Sequence, residues 1–237
     1  YKTVEMKGKT QITRSLDKLD ISVSIMQYIT RNYIILENLI KKIEIKNQII
    51  ENQDEIIQIF KNAKESNKVF LNFDGFDQQY VVCLDAKTGE TIWRTDRSID
   101  YGSDNGDFKK AYCTPTVINH NNRTQLVSPA AVATVAYDPG NGQEIWTVYH
   151  GGFNAAARPL YSHGLVILCT AQGDRLLAVR PDGVGDITDE NVVWKFGKSA
   201  PTRPSQSVVA DQLYMVSDTG IFSCIDIETG KVRWSKR

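Results

Sequence analysis

Short runs of alternating apolar and polar residues cover residues 69–237, which is the pattern of half-buried β-strands. The pattern is clearest at 81–93, where an apolar run leads into Asp85, a turn ending at Gly89, and a second run that ends on Trp93. Aspartate folds its side chain back onto the backbone, and glycine supplies the positive φ that other residues resist. The stretch therefore predicts a β-hairpin.

The same hairpin pattern returns three more times, and each unit closes with one of the four tryptophans of the chain. The third unit replaces the short Asp-to-Gly turn by a longer segment, residues 181–191. The pattern predicts four equivalent modules. Their repeat markers are Trp93, Trp146, Trp194 and Trp234, with Asp85, Asp138 and Asp226 and with Gly89, Gly142 and Gly230 in the turns.

Repeat length favours one architecture. Successive tryptophans lie 53, 48 and 40 residues apart, and Pro115, Pro159 and Pro204 run in step with them at intervals of 44 and 45 residues. Repeats of this length that contain only strands match the four-stranded blades of a β-propeller. Each proline opens a unit about thirty residues before its tryptophan.

The repeat also resembles a known family. The pattern Cys83-Leu84-Asp85, Thr88-Gly89 and Trp93 returns at residues 224–234 and is similar to the tryptophan-docking repeat of the PQQ (pyrroloquinoline quinone)-like β-propellers. The resemblance covers about residues 69–237. It implies a mainly β fold: a partial β-propeller with about three complete four-stranded blades and one incomplete blade, which lacks its innermost strand.

Residues 1–68 follow a different period. Apolar residues recur there every seven positions, which predicts an α-helical segment with one apolar side. Three interpretations stay open: a helical hairpin, a self-associating coiled coil, and a segment that is not native to the propeller. The sequence thus divides into domains 1–68 and 69–237. The heptad positions are Ile29, Leu36, Ile43, Ile50 and Ile57.

Charge and hydropathy limit the classes of partner that the sequence predicts. The two parts carry formal charges of about +3 and −3, so no concentrated basic face for nucleic acid is expected. No apolar run reaches 18 residues, and the first residues lack the shape of a signal peptide. The chain starts at Tyr1 and stops three residues after Trp234, whereas propellers of this family usually close with seven or eight blades. We expect a fragment of a longer protein.

The cysteines and the acidic loop predict neither a disulfide framework nor a metal site. Cys83 and Cys224 share one repeat position, where the other units carry alanine, so a small residue packed between blades is expected. Cys113 and Cys169 stand alone, without a C-x-x-C motif. The polar loop 96–110 lacks the alternation of a calcium loop and is predicted to be a solvated connection.

No catalytic constellation is found, and no cofactor is predicted. Resemblance to the PQQ-dependent alcohol dehydrogenases would imply a quinone, a calcium ion, an aspartate base and, in many members, a disulfide between adjacent cysteines. This sequence has no adjacent cysteine pair. A fragment of a quinoprotein dehydrogenase, with PQQ and calcium, is therefore the alternative function.

Candidate binding residues precede the blade-opening prolines: Thr114, Arg158 and Arg203. If the inner strands line a channel, the two arginines reach its mouth and could receive carboxylates. The competing interpretation is that each arginine pairs with an acidic residue or a backbone carbonyl of its neighbouring blade. His150, before two glycines, is a further candidate for the funnel. His120 and His163 are predicted to be solvated turn residues.

The main functional hypothesis is a non-catalytic binding scaffold that presents loops and a central funnel to a protein or a small ligand. Relatives implied by the resemblance include the propeller lipoprotein that helps assemble bacterial outer-membrane proteins, which favours a periplasmic or extracellular setting. A third interpretation is self-association through residues 1–68.

Overall fold

The computed structural model describes residues 67–172, 175–197 and 199–237, which fold into four antiparallel β-sheets in succession along the chain. The predicted helix and coiled coil fall on residues outside these ranges. Residues 67–237 form one compact unit. Lys68, assigned above to the N-terminal segment, already begins the first strand.

The first two sheets are meanders of consecutive strands. The first has three strands among the described residues, and the second has four plus one short strand from a later segment. A short 3₁₀ turn, Gly106–Lys109, lies between the two sheets. Their strands are β1 (Lys68–Asp74), β2 (Gln79–Asp85), β3 (Thr91–Asp96), β4 (Thr116–His120), β5 (Arg123–Pro129), β6 (Ala133–Tyr137) and β7 (Glu144–Tyr149).

The third and fourth sheets each have four strands in a meander. The long turn of the third unit contains strand β11 (Gly185–Asp186) and helix α1 (Thr188–Asn191), and β11 pairs in parallel with β7 of the second sheet. The remaining strands are β8 (Leu160–Ser162), β9 (Leu165–Cys169), β10 (Leu176–Val179), β12 (Val192–Phe196), β13 (Ser207–Val209), β14 (Gln212–Val216), β15 (Phe222–Asp226) and β16 (Val232–Lys236).

All four tryptophans occupy the same place in their sheets, which confirms that the modules are equivalent. Each lies opposite the small residue of the preceding strand, and a β-bulge follows that residue in every sheet. The prediction that Cys83 and Cys224 fill a small-residue position agrees with this register, because both are fully buried. The pairs are Cys83 with Trp93, Ala136 with Trp146, Ala178 with Trp194 and Cys224 with Trp234.

Two tryptophans lie against the hairpin turn of the next sheet. The indole N–H of Trp93 donates to the Pro139 carbonyl at 3.2 Å, and a Cβ at Gly142 would come within 2.5 Å of its ring. Trp194 donates to the Ile227 carbonyl at 2.9 Å, and a Cβ at Gly230 would come within 2.7 Å of the Trp194 ring.

Trp146 is held differently, because the next unit has the long turn instead of an Asp-to-Gly turn. Its indole N–H donates to Oε1 of Gln125, in its own sheet, at 2.6 Å. Apolar clusters fill the spaces between consecutive sheets: one between the first and second, one between the second and third, and one between the third and fourth. Burial of these clusters is the main stabilising contribution to the stack of sheets.

The loop 96–110 is only partly solvated, so the prediction for it is wrong at its three buried positions, Arg97, Ile99 and Gly106. Ile99 is 7% exposed, and the Arg97 side chain is fully buried, where its guanidinium pairs with the carboxylate of Asp74. Arg97 Nη2 donates to Asp74 Oδ2 at 2.7 Å and to Ser128 Oγ, in the second sheet, at 2.9 Å. A buried pair of this kind ties the loop and both sheets together, because either charge alone would be costly to bury.

Candidate functional site

A pocket of about 430 Å³ lies between the third and fourth sheets. Three segments form it: the β9–β10 turn, the β12–β13 connection and the β14–β15 turn. Its volume lies in the range of ligand sites. The polar residues that line it are Arg175, Ser199, Thr202, Arg203, Ser217, Asp218 and Thr219.

Local hydrogen bonds fix the two turns. The backbone N–H of Arg175 donates to Oγ1 of Thr170 at 2.8 Å, and the N–H of Thr170 donates to the Arg175 carbonyl at 2.7 Å. In the β14–β15 turn, the hydroxyl of Ser217 accepts the backbone N–H of Ile221 at 3.0 Å. The pocket is therefore framed by hydrogen-bonded turns.

Asp218 joins the connection to the β14–β15 turn. Its Oδ2 accepts both the backbone N–H of Thr202 at 2.8 Å and the Thr202 hydroxyl at 2.7 Å. The hydrogen bond from the Thr202 side chain, with further contributions from the Thr202 backbone and the charge of Arg203, lowers the pKa of the Asp218 carboxyl. Asp218 is thus engaged as an acceptor within the wall of the pocket.

Two guanidinium groups at the pocket carry the recognition chemistry. Arg175 and Arg203 are both exposed, and neither guanidinium has a hydrogen-bond acceptor within the described ranges. A guanidinium presents five N–H donors in a planar fork that matches carboxylate and phosphate oxygens. The hydroxyls around them add donors and acceptors. The arrangement can bind an anionic, oxygen-rich group.

Each of the three connections between sheets contains one arginine, and only one of these side chains is left for a ligand in the part of the chain that the structure describes. Arg97 is buried with Asp74. Arg158 donates from Nε to Oγ1 of Thr116, in the second sheet, at 3.1 Å. Arg203 makes no such hydrogen bond and lines the pocket. The partner of Arg158 in the second sheet is thus a threonine hydroxyl, and not the acidic residue or backbone carbonyl of the competing interpretation.

The other predicted binding residues do not line the pocket. Thr114 and Arg158 are exposed, as Arg203 is. His150 is 6% exposed, and its ring nitrogens contact the Thr134 hydroxyl at 3.1 Å and the Gly151 carbonyl at 2.8 Å. Of the four candidates, only Arg203 lines the pocket.

The two turn histidines differ. His163 is exposed in the β8–β9 turn, as predicted. The prediction for His120 is wrong: it ends β4, is 9% exposed, and contacts the Tyr161 hydroxyl and the Asp182 carboxylate at 2.9 Å each. These two partners come from the third unit and bury the ring against it.

Sequence reasoning missed Arg175, and it had no local signal to find it. Arg175 stands at the end of a short turn with φ of 68°, a conformation that non-glycine residues seldom adopt. Its proximity to Arg203 depends on two sheets meeting. The residue type arginine does not indicate a positive φ, so the sequence alone does not predict this backbone conformation.

Within the described residues, no helix is long and apolar enough to cross a membrane. In the same residues, no group of three or more histidine, cysteine, aspartate or glutamate side chains is arranged to hold a metal ion.

Comparison with known proteins gives concordant matches. Residues 77–237 match the family model described as outer membrane protein assembly factor BamB. The BamB protein of Yersinia pestis is 30% identical over 164 residues, covering 66% of this chain and 39% of that protein. The chain therefore spans well under half of this relative.

A solved BamB structure supports the fold. BamB from Moraxella catarrhalis aligns with a TM-score of 0.54 and 15% identity over 73% of this chain and 49% of its own. A quinohemoprotein alcohol dehydrogenase from Pseudomonas putida aligns with a TM-score of 0.48 and 18% identity, covering 72% of this chain and 33% of the enzyme. With four successive sheets in one tryptophan register and a family model that matches residues 77–237, the chain belongs to the BamB family of PQQ-like β-propeller repeat proteins.

Proposed function

We propose that the chain is a non-catalytic binding scaffold that takes part in assembling outer-membrane proteins by holding an acidic segment of a protein partner in the Arg175–Arg203 pocket. The observation that carries the proposal is the pair of exposed guanidinium groups without hydrogen-bond acceptors in the described residues. The names of the matched relatives support the process, and the pocket supports the mode of recognition.

A carboxylate is the group that this site would hold best. Each of the two guanidinium groups can donate two parallel hydrogen bonds to one carboxylate. Charge-assisted hydrogen bonds of this kind are about twice as strong as neutral ones. The hydroxyls of Ser199 and Thr219 line the same pocket and can bind the peptide backbone beside the carboxylates. Because both arginines are exposed, an extended segment can approach without a rearrangement of the sheets.

We also propose that the scaffold works in the periplasm, since the relatives it matches are named for outer-membrane protein assembly. It would work without a bound quinone, because the sequence lacks the adjacent cysteine pair found in many quinoprotein dehydrogenases. Quinone absorbance that stays with the protein after incubation with PQQ and calcium and then dialysis would overturn this part of the proposal.

The acidic-segment proposal is tested with a fluorescently labelled hexaglutamate peptide and a hexaglutamine peptide of equal length. We expect binding of the acidic peptide only, and at least a tenfold loss of affinity in Arg203→Glu and in Arg175→Glu, because each loses one charge-assisted pair. Fluorescence anisotropy at low and at physiological salt gives the dissociation constants.

Arg180→Glu is the matched control, since it reverses an exposed arginine that does not line the pocket. It changes the net charge by the same amount and should keep the affinity within about twofold, as distant surface charges are largely screened at physiological salt. Equal weakening by all three reversals would mean that the peptide senses only overall charge. That result would contradict a specific pocket.

A further inference from the structure

One carboxylate stands among the arginines of the pocket. Asp218 lines the pocket together with Arg175 and Arg203, and all three residues are exposed. A carboxylate at this place repels any acidic group that the arginines attract. Asp218 therefore limits which acidic segments the pocket can hold.

Only one oxygen of Asp218 is used by the side chains that the structure describes. Oδ2 accepts the backbone N–H and the hydroxyl of Thr202, at 2.8 and 2.7 Å, whereas no side chain of the described residues donates to Oδ1. The hydrogen bond from the Thr202 side chain, with further contributions from the Thr202 backbone and the charge of Arg203, lowers the pKa of the Asp218 carboxyl, so the group is ionised at neutral pH. A charged oxygen with free hydrogen-bonding positions is thus present in the pocket wall.

The position of this carboxylate is fixed by the β14–β15 turn. The N–H of Ser217 donates to the Ile221 carbonyl and the N–H of Gly220 donates to the Ser217 carbonyl, both at 2.9 Å. The hydroxyls of Ser217 and Thr219, on either side of Asp218, are hydrogen-bonded to each other at 3.0 Å. Because the bonds from Thr202 also join the carboxylate to the β12–β13 connection, Asp218 is oriented before a ligand arrives.

The opposite charges of the pocket do not neutralise each other. Within the described ranges, neither Arg175 nor Arg203 forms an ion pair with Asp218. Other basic side chains of the chain do pair with a carboxylate, at 2.5–2.9 Å: Arg94, Arg97, Lys110 and Arg233. Both signs of charge therefore remain available in one pocket, and a ligand that carries both signs would satisfy them together.

We propose that Asp218 selects, among acidic segments, those that carry a lysine or an arginine between their acidic residues. The two arginines hold carboxylates of the segment, and Oδ1 of Asp218 accepts a hydrogen bond from its basic side chain. Because it concerns the same pocket, this selectivity rests on the proposed function.

Two effects of opposite sign produce the selectivity. A basic residue opposite Asp218 adds a charge-assisted hydrogen bond, whereas an acidic residue there meets a like charge. A neutral aliphatic residue would remove water from the carboxylate without replacing its hydrogen bonds. Discrimination between partners commonly combines attraction of the right group with repulsion of the wrong one.

Two fluorescently labelled octapeptides with the same number of glutamates test the selectivity: EEKEEKEE and EEQEEQEE. The second has the larger net negative charge, so attraction to the arginines by charge alone would favour it. We expect the wild type to bind EEKEEKEE about fivefold more tightly, the amount that one exposed charge pair can add. Fluorescence anisotropy at physiological salt gives both dissociation constants.

Asp218→Asn removes the charge but keeps an oxygen that can accept the bonds from Thr202. This variant should lose the preference for EEKEEKEE, and it should bind EEQEEQEE at least as tightly as the wild type, because the arginines no longer share their pocket with a negative charge. Asp189→Asn is the matched control, since Asp189 is exposed and does not line the pocket, so the preference should remain. Circular dichroism checks the fold of both variants.

Three results would overturn the role of Asp218: a wild type that binds EEQEEQEE as tightly as EEKEEKEE or more tightly, an unchanged preference in Asp218→Asn, and loss of the preference in Asp189→Asn. If Arg175→Glu and Arg203→Glu weaken both peptides in any of these cases, the acidic-segment proposal stands and only the selectivity fails. If neither arginine reversal weakens either peptide, the proposed function itself fails.

Discussion

Single residues decide how neighbouring sheets approach each other, and the turn glycines show this most directly. Gly142 and Gly89 have nearly the same φ, 75° and 73°, and occupy the same place in their turns. Only Gly142 has an indole against it. A substitution at the two positions therefore carries the same backbone strain, while only one meets a steric obstacle.

We predict that Gly142→Ala destabilises the fold by about 1–3 kcal/mol more than Gly89→Ala, because the added methyl group collides with the Trp93 ring in a packed interface. Urea unfolding followed by tryptophan fluorescence gives both free energies. Equal losses of unfolding free energy in the two variants would mean that the packing of Trp93 does not require a glycine at position 142.

The residue scale also marks the limit of sequence reasoning. The register of Trp93 and Cys83 follows from a local repeat, so it could be predicted from spacing alone. The buried pair of Arg97 and Asp74 could not, because the two residues lie 23 positions apart in a polar loop and at a strand end. Nothing in a single sequence indicates that this arginine is buried.

At the scale of elements, the hairpin turns are stabilised by the side chains of their first aspartates. In the last hairpin, Oδ2 of Asp226 accepts from Arg233 Nη2 at 2.7 Å, and Oδ1 accepts from the Thr229 hydroxyl at 2.8 Å. The bond from Arg233, then those from the Thr229 side chain and backbone, lower the pKa of the Asp226 carboxyl to about 2 from the usual 3.8.

A lowered pKa in the folded state means that Asp226 stabilises the fold above pH 3.8 and that this stabilisation is lost as the pH falls through about 2. We expect Asp226→Asn to lower the urea midpoint near neutral pH and the difference from the wild type to shrink steadily between pH 4 and pH 2. Asp77→Asn, in an exposed turn, controls for the change in net charge. A difference that is constant with pH would contradict the role of the ionised carboxylate.

The strands and hairpins could be predicted more completely than the packing of one sheet on the next. Strand positions, the four hairpins and the small residues opposite the tryptophans follow from alternation and repeat length. The strand β11 was missed, because a two-residue strand inside a long turn has no period to detect. The Arg175–Arg203 pocket was half predicted: Arg203 was marked by its proline, whereas Arg175 reaches the same pocket only through packing of two sheets.

For the whole molecule, the stack of sheets keeps reactive groups away from solvent. All four cysteines are free and buried. Burial raises the pKa of the Cys113 thiol to about 12, and it also raises the pKa of Cys169 and of Cys83. Because the thiolate is the reactive form of cysteine, the native protein should be chemically inert at these positions.

We predict that Ellman's reagent at pH 8 labels none of the four thiols of the native protein within minutes and all four after unfolding in guanidinium chloride. The release of the coloured thiolate counts the labelled cysteines directly. Rapid labelling of one or more thiols in the native state would show that a sheet opens on that time scale and would contradict stable packing.

Strand β11 affects where a peptide from another protein could add itself to the sheets. By pairing with β7, it occupies the outermost hydrogen-bonding groups of the second sheet, whereas β3, β12 and β16 end their sheets without a further strand in the described residues. On this side of the sheets, β3, β12 and β16 are the edges on which an extended peptide could add itself as one more strand. Strand β11 therefore covers the middle of β7 and blocks the addition of a further strand along that part of the second sheet.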